Sequence, residues 1–190
     1  MIFSNKDIQV VLPADVTGRS VAHPKRWLVA LVRISHEKKT SERLSKMGIE
    51  NFLPVQQEVH QWSDRRKVVE RVLLPMMIFV HVDMYEQKEV LTLGSISRYM
   101  VLRGESTPAV IPDGQMHRFK FMLDYSDEAI NMSTTPLSPG TKIKVIKGPL
   151  SGLQGELVTV NGKSKVAVRL TMLGCAFVDI PVGCVEPLEK

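Results

Sequence analysis

Five histidines, two cysteines and three groups of basic residues are the side chains in this sequence best suited to chemistry. The histidines (His23, His36, His60, His81 and His117) show no metal-ligand spacing, and no H-E-x-x-H stretch occurs. No G-x-x-x-x-G-K-[ST] loop, no G-x-G-x-x-G turn and no G-x-S-x-G elbow is present. Cys175 and Cys184 are too few for a disulfide scaffold or a structural zinc site, so they read as reduced thiols. What remains is charge: Lys38–Lys39 with Arg43 and Lys46, then Arg65-Arg66-Lys67, then Lys142, Lys144 and Lys147. Such groups bind phosphates or acidic surfaces and do not by themselves make or break bonds. The expectation is a binding protein, with no catalytic residue, no metal and no cofactor.

The bulk properties agree with that without choosing a partner. Lysine plus arginine number 25 against 20 acidic residues, a net charge of +5, and the apolar share is 44%. This mild basic excess is compatible with nucleic acid or with an acidic protein. The chain's 190 residues suffice for one ordinary domain, or for a medium domain and a small one. No apolar run approaches the ~20 residues that span a bilayer. The opening Met1-Ile-Phe-Ser-Asn-Lys-Asp carries charge too early for a secretory signal. A cytoplasmic location without membrane attachment is expected.

The elements that must position these groups follow from hydrophobic periodicity. Lys25–Arg33 is a continuous apolar run of strand length, suited to a strand buried on both faces. Ser35 is placed to cap a helix over 36–47, which Gly48 ends; its apolar stripe is Thr40, Leu44 and Met47. Strands are expected over 51–59 and 67–74, joined through Trp62–Lys67 as a hairpin with a basic tip. A second wholly apolar strand, Met76–Val82, precedes a short helix over 85–93 that ends at Gly94, and a fourth strand spans 98–103. Pro112-Asp113 opens a helix over 115–125, with Met116, Phe119, Met122 and Leu123 on one face. Residues 1–24 form an extension, 25–125 an α+β domain and 126–139 a polar linker.

The remainder, 140–190, reads as a small β-barrel. In Gly140–Val160, Ile143 and Val145, then Leu157 and Val160, alternate around a loop carrying Gly148, Pro149, Gly152 and Gly155. Strand-like runs at 165–172 and 176–180 follow. Rich in Val, Thr and Gly, this segment is expected to be constitutively β. The spacing of lysine, glycine and small residues resembles the KOW motif of transcription and ribosomal proteins.

Further pieces carry the resemblance upstream: Lys25-Arg-Trp27, Phe52-Leu-Pro-Val55, the Arg-Arg-Lys hairpin, Leu74–Val80 and Pro108–Pro112. In this order they resemble the NusG family of transcription elongation factors from about Arg26 to Leu188. The N-terminal extension is similar to that of its specialised UpxY-type paralogues, which act on capsular polysaccharide operons. The resemblance implies an antiparallel N-terminal domain, a linker and an SH3-like KOW barrel. It implies RNA polymerase as partner, docked at an apolar pocket of Leu31, Leu74, Met77 and Phe79; the plainer reading of these four is core. Lys88 and Glu89 would touch the opposite side of the polymerase cleft. Arg33, His36 and Lys39 would meet non-template DNA in the transcription bubble, or else form a solvated helix face.

Two departures stand out. The family's Phe-Pro-Gly-Tyr or Phe-Pro-Asn-Tyr is here Leu74-Pro75-Met76-Met77, and Asp179–Cys184 lacks the aromatic that the general factor presents to a small-subunit ribosomal protein. The barrel's partner is thus open. Lys142, Lys144 and Lys147 could bind RNA, the basis of a rival reading as an RNA-binding KOW assembly protein, or keep an edge strand soluble.

Overall fold

A computed structural model of the chain describes residues 23–61, 66–133 and 139–188. The apolar run after Lys25 becomes β1 (Arg26–Val32), followed by α1 (Glu37–Lys46), β2 (Glu50–Phe52), β3 (Val55–Gln61), β4 (Arg66–Val72) and β5 (Met77–Val82). Then come α2 (Met84–Leu91), β6 (Ile96–Tyr99), β7 (Val110–Ile111), α3 (Asp113–Tyr125) and β8 (Asn131–Ser133). The C-terminal strands are β9 (Thr141–Val145), β10 (Gln154–Val160), β11 (Lys163–Leu170), β12 (Gly174–Asp179) and β13 (Val185–Pro187).

In the first sheet β5 is antiparallel to one edge of β1, while β6 and β7 share its other edge. β2 extends the sheet beyond β5. Alternation along β1 divides the core in two. Leu28, Ala30 and Val32 pack with Leu44 of α1 and Val90 of α2, whereas Trp27 and Val29 pack with Phe79 and with Met116, Phe119 and Met122 of α3. Lys120 of α3 lies 4.0 Å above the Trp27 ring, on which His81 stacks at 4.8 Å. Glu50 completes this cluster, 2.7 Å from His81 Nδ1 and 3.5 Å from Lys120 Nζ. His81 is therefore a packed rim histidine.

The second sheet has the order β13-β9-β10-β11-β12-β8, all antiparallel. Gly140 admits its first strand: a Cβ there would lie 2.0 Å from the carbonyl oxygen of Leu157. β3 and β4 form a separate two-stranded ribbon. Its expected basic tip at 62–65 lies outside the described residues, as do residues 1–22 of the extension and 134–138 of the linker.

Several expectations shift. The strand expected over 51–59 is split at Leu53-Pro54 into β2 and β3, since proline cannot donate a ladder hydrogen bond. The fourth strand lies at Ile96–Tyr99, not 98–103; β1 pairs there, and the chain then turns outward through exposed residues 101–107. Ser35 does not cap α1: it takes φ +60, and His36 occupies the cap position without a side-chain bond. Gly48 ends that helix at φ +76, as its position suggested. Within the stretch expected as a linker, Ile130 is fully buried and β8 pairs with β12.

The two sheets touch. α3 packs on β11, and Gln115 Oε1 accepts from the Thr171 amide and hydroxyl at 2.8 and 3.0 Å. One cluster of buried side chains continues from Trp27 and Phe79 through α3 to Leu150, Val168 and Leu173. Among the described residues no helix is long and apolar enough to cross a membrane.

α2 begins with a reciprocal cap. Asp83 Oδ1 accepts from the Tyr85 and Glu86 amides at 2.8 and 2.9 Å, while Glu86 Oε2 accepts from the Asp83 amide at 3.1 Å. The Glu86 amide, opposed by partial burial and aided by the Tyr85 amide, holds the Asp83 carboxyl below its ordinary 3.8. A group lowered on folding contributes stability above its unfolded pKa and loses it as pH falls through the folded one. Asp83→Ala is expected to cost about 1 kcal/mol at neutral pH. In urea titrations the gap between wild type and variant should persist above pH 5 and close progressively below about pH 4.

Candidate functional site

β1 and α1 meet at a turn that gathers most of the residues singled out in the sequence. Ser35, with φ +60, reverses the chain between them. The Arg33 amide donates to the Ser95 carbonyl at 2.9 Å, which fixes the end of β1 against the turn after α2. Below this junction Thr40 Oγ1, fully buried, donates to Ser95 Oγ at 2.8 Å. Above it Arg33, His36, Lys39 and Arg43 line an open cleft of about 370 Å³ with Thr40, Gly94 and Ser95. The His36 Nδ1–H donates to the Ile34 carbonyl at 2.9 Å.

No carboxylate lines this cleft. Among the described residues Arg33, Lys39 and Arg43 form no ion pair, whereas the neighbouring Lys38 is paired with Glu70 of β4. Unneutralised cations sharing one concavity raise the local positive potential and attract phosphate. Arg33, His36 and Lys39 are thus brought together. Arg43, counted in the sequence only as part of a basic cluster, belongs with them. Its signal was helical spacing: 36, 39, 40 and 43 recur on one face of α1. The buried Thr40–Ser95 pair left no signal, because its partners are far apart in sequence.

The apolar candidates divide by exposure. Leu31 and Met77 are paired across β1 and β5 and are both half-buried. Leu74, 6% exposed, and Phe79, wholly buried, belong to the core cluster that α3 covers. The Phe79 ring lies 6.0 Å from that of Phe52 and 5.9 Å from that of Phe119. Phe79 is accordingly a core anchor beneath the surface that Leu31 and Met77 offer. That surface adjoins the basic cleft, since Arg33 lies two residues beyond Leu31.

Met76 joins the two regions. Its carbonyl accepts from the Val32 amide at 2.8 Å, and its amide donates to Glu37 Oε1 at 2.9 Å. Glu37 stands in the first turn of α1 and is buried, so this bond clasps the start of the helix to the start of β5. Lys88 and Glu89 do not join the cleft: they are exposed on α2. Lys142 and Lys144 are exposed on β9, and Lys147 is exposed in the loop after it. Cys175 is buried, which pushes its thiol up, and Cys184 is half-buried; both are free. Among the described residues no cluster of His, Cys, Asp or Glu could hold a metal ion.

Residues 25–120 match the NusG family, described as transcription termination factor nusG. Among solved structures the chain is similar to Thermotoga maritima NusG, determined in a study of its domain interaction. The identity is 17% and the TM-score 0.48, over 87% of this chain and 98% of that one. It is also similar to a chain of the MjSpt4:Spt5 complex in conformation A, at 12% identity and a TM-score of 0.28, over 86% of this chain and 99% of that one. No curated protein matches.

Met76 holds its two hydrogen bonds at φ +62 while 47% exposed, a backbone conformation that an unbranched side chain adopts at a cost. Relief of that strain by glycine, less glycine's extra chain entropy, should raise the unfolding free energy of Met76→Gly by about 0.5–1 kcal/mol. The expected readout is a higher urea midpoint at unchanged slope. A lower midpoint would mean that packing of the thioether outweighs the strain.

Proposed function

The chain belongs to the NusG family, and from that premise we propose that it is a non-enzymatic transcription elongation factor that docks on RNA polymerase. The observation that carries the reading is the adjacency of the half-exposed Leu31–Met77 pair and the uncompensated basic cleft at one end of β1. An apolar anchor beside a phosphate-seeking surface suits a protein that must hold polymerase and meet nucleic acid at once. Leu31 and Met77 supply the docking surface, with Leu74 and Phe79 as its packed support. Arg33, His36, Lys39 and Arg43 contact the non-template strand of the transcription bubble. Lys88 and Glu89, on the separate surface of α2, reach the opposite side of the polymerase cleft, and such bridging disfavours paused states.

The second sheet, with its glycine-dependent entry at Gly140, supports reading 140–190 as a KOW barrel that recruits another partner. The likeness of the N-terminal extension to that of the specialised paralogues supports action on a chosen long operon, such as one for polysaccharide synthesis. The rival reading, binding of structured RNA through the second sheet, rests on the exposed Lys142, Lys144 and Lys147.

Wild type should retain purified polymerase in a pull-down at moderate salt. Leu31→Asp and Met77→Asp, each at a half-exposed position and checked for native circular dichroism, should lose at least tenfold in retention. Folded variants that bind like wild type would overturn docking at this surface. A wild type that ignores polymerase but binds RNA in a strongly salt-dependent way would favour the rival.

Binding of the chain to single-stranded DNA should weaken with salt. Removing Arg33, Lys39 and Arg43 together should flatten that slope by about 0.7 for each phosphate no longer neutralised. An unchanged slope would remove the cleft from the nucleic-acid interface.

A further inference from the structure

Between α3 and the second sheet lies a slot of about 350 Å³ that polymerase docking does not use. Gln115 and Arg118, one turn apart on α3, form one wall; Lys142 of β9 and the Glu156–Arg169 pair of β10 and β11 form the other, over a floor at Gly155, Ala167 and Val168. The size falls at the lower end of the range for small-molecule sites.

The polar groups are arranged for an anion. Glu156 is already neutralised: Arg169 Nε donates to both its oxygens at 2.9 Å, and Arg169 Nη2 stands 2.8 Å from Oε2. The Arg169 guanidinium, assisted by the Gly140 amide, holds the Glu156 carboxyl below its ordinary value against the effect of burial. Lys142 stands opposite Glu156 across the β9–β10 ladder and shares that carboxylate with Arg169, so with Arg118 three cations face one anion and the lining keeps a positive excess. Gln115 adds a fixed donor. Its Oε1 is held by two bonds from Thr171, which orients its amide and leaves the Nε2 hydrogens to serve the slot. Ala167 and Val168 are themselves buried, so the partly exposed Gly155 and Leu188 supply the apolar surface for a flat body beside the charged group.

We propose that this slot binds a phosphate-bearing small molecule of the nucleoside-phosphate class, its phosphate between Arg118 and Lys142 and its ring against Gly155 and Leu188. Because the walls come from both units, the bound ligand favours the arrangement in which α3 and the second sheet are packed together. The proposal is independent of polymerase docking.

The test is a thermal shift and calorimetric titration of the full chain with ADP and with pyrophosphate, against sulfate at matched ionic strength. A saturable rise with ADP is expected, with affinity reduced at least tenfold in Arg118→Ala and in Lys142→Ala. Both variants should keep the ligand-free midpoint, and Arg118→Lys should recover part of the affinity. Hydrogen exchange should slow together in α3 and β11 on ADP addition. A response to pyrophosphate as strong as that to ADP supports the phosphate site and removes the ring contact. An equal response to sulfate, a response unchanged in the variants, or binding of a short RNA alone would overturn the proposal.

Discussion

β1 is hydrogen-bonded along both edges and packed on both faces, and the rest of the first unit depends on meeting those four demands. Trp27, Leu28, Val29, Ala30 and Val32 are all buried, with the odd and even positions feeding separate cores. A strand covered on both sides cannot tolerate a polar residue facing either core without an unsatisfied group, which explains the unbroken apolar run. It also explains where the chain becomes polar. Leu31 is only half-buried, the strand ends at Val32, and the change from apolar to cationic surface is complete at Arg33. The juxtaposition of the two candidate surfaces is thus a consequence of how far each layer extends along one strand.

The clasp at Met76 shows how local strain is maintained by that framework. A lone residue at φ +62 would relax to ordinary extended backbone, but here both its backbone groups are engaged. The Val32 amide needs an acceptor at the end of β1, and the buried Glu37 carboxylate needs a donor at the start of α1. Leaving either group unmet in a buried setting costs about 1–3 kcal/mol, at least as much as the strain itself. The favourable outcome is therefore the strained turn with both bonds made. It fixes the side chain of the next residue, Met77, beside Leu31, so a backbone compromise sets the shape of an apolar surface.

Legibility in the sequence followed interaction range. β1, β5 and α3 were readable because an apolar run or a repeating face is a local pattern that burial enforces. Gly48 was readable because the left-handed position after a helix has a chemical signature. Ser35 misled for a related reason. Serine before a helix signals a cap, but the tight β1–α1 reversal needed a left-handed residue there, and His36 took the cap position without a side-chain bond. The basic cleft was half legible, since Arg33, His36 and Lys39 are close in the chain while Ser95 arrives from 55 residues beyond Thr40. Phe79 illustrates the remaining gap. Its strand, face and apolar character were evident, but whether that face is open or covered depends on where α3 lies, and no local pattern encodes that.

α3 is what makes the two sheets one energetic system. Met116, Phe119 and Met122 are buried, while Phe121 and Leu123 are partly buried and pack against the same cluster, so the helix is apolar around much of its circumference. A helix of that kind is stable between layers and poorly suited to lying on a single sheet with one side in water. Two of its polar residues tie it to its neighbours: Lys120, over Trp27 and beside Glu50, and Gln115, bonded to Thr171. Departure of the second sheet would break the Gln115 bonds and uncover Val166, Val168 and Leu170, and departure of α3 from the first would uncover Trp27 and Phe79. Since apolar burial stabilises in proportion to area, separation at either boundary is opposed by the same continuous cluster, with Met116, Phe119 and Met122 of α3 at its middle.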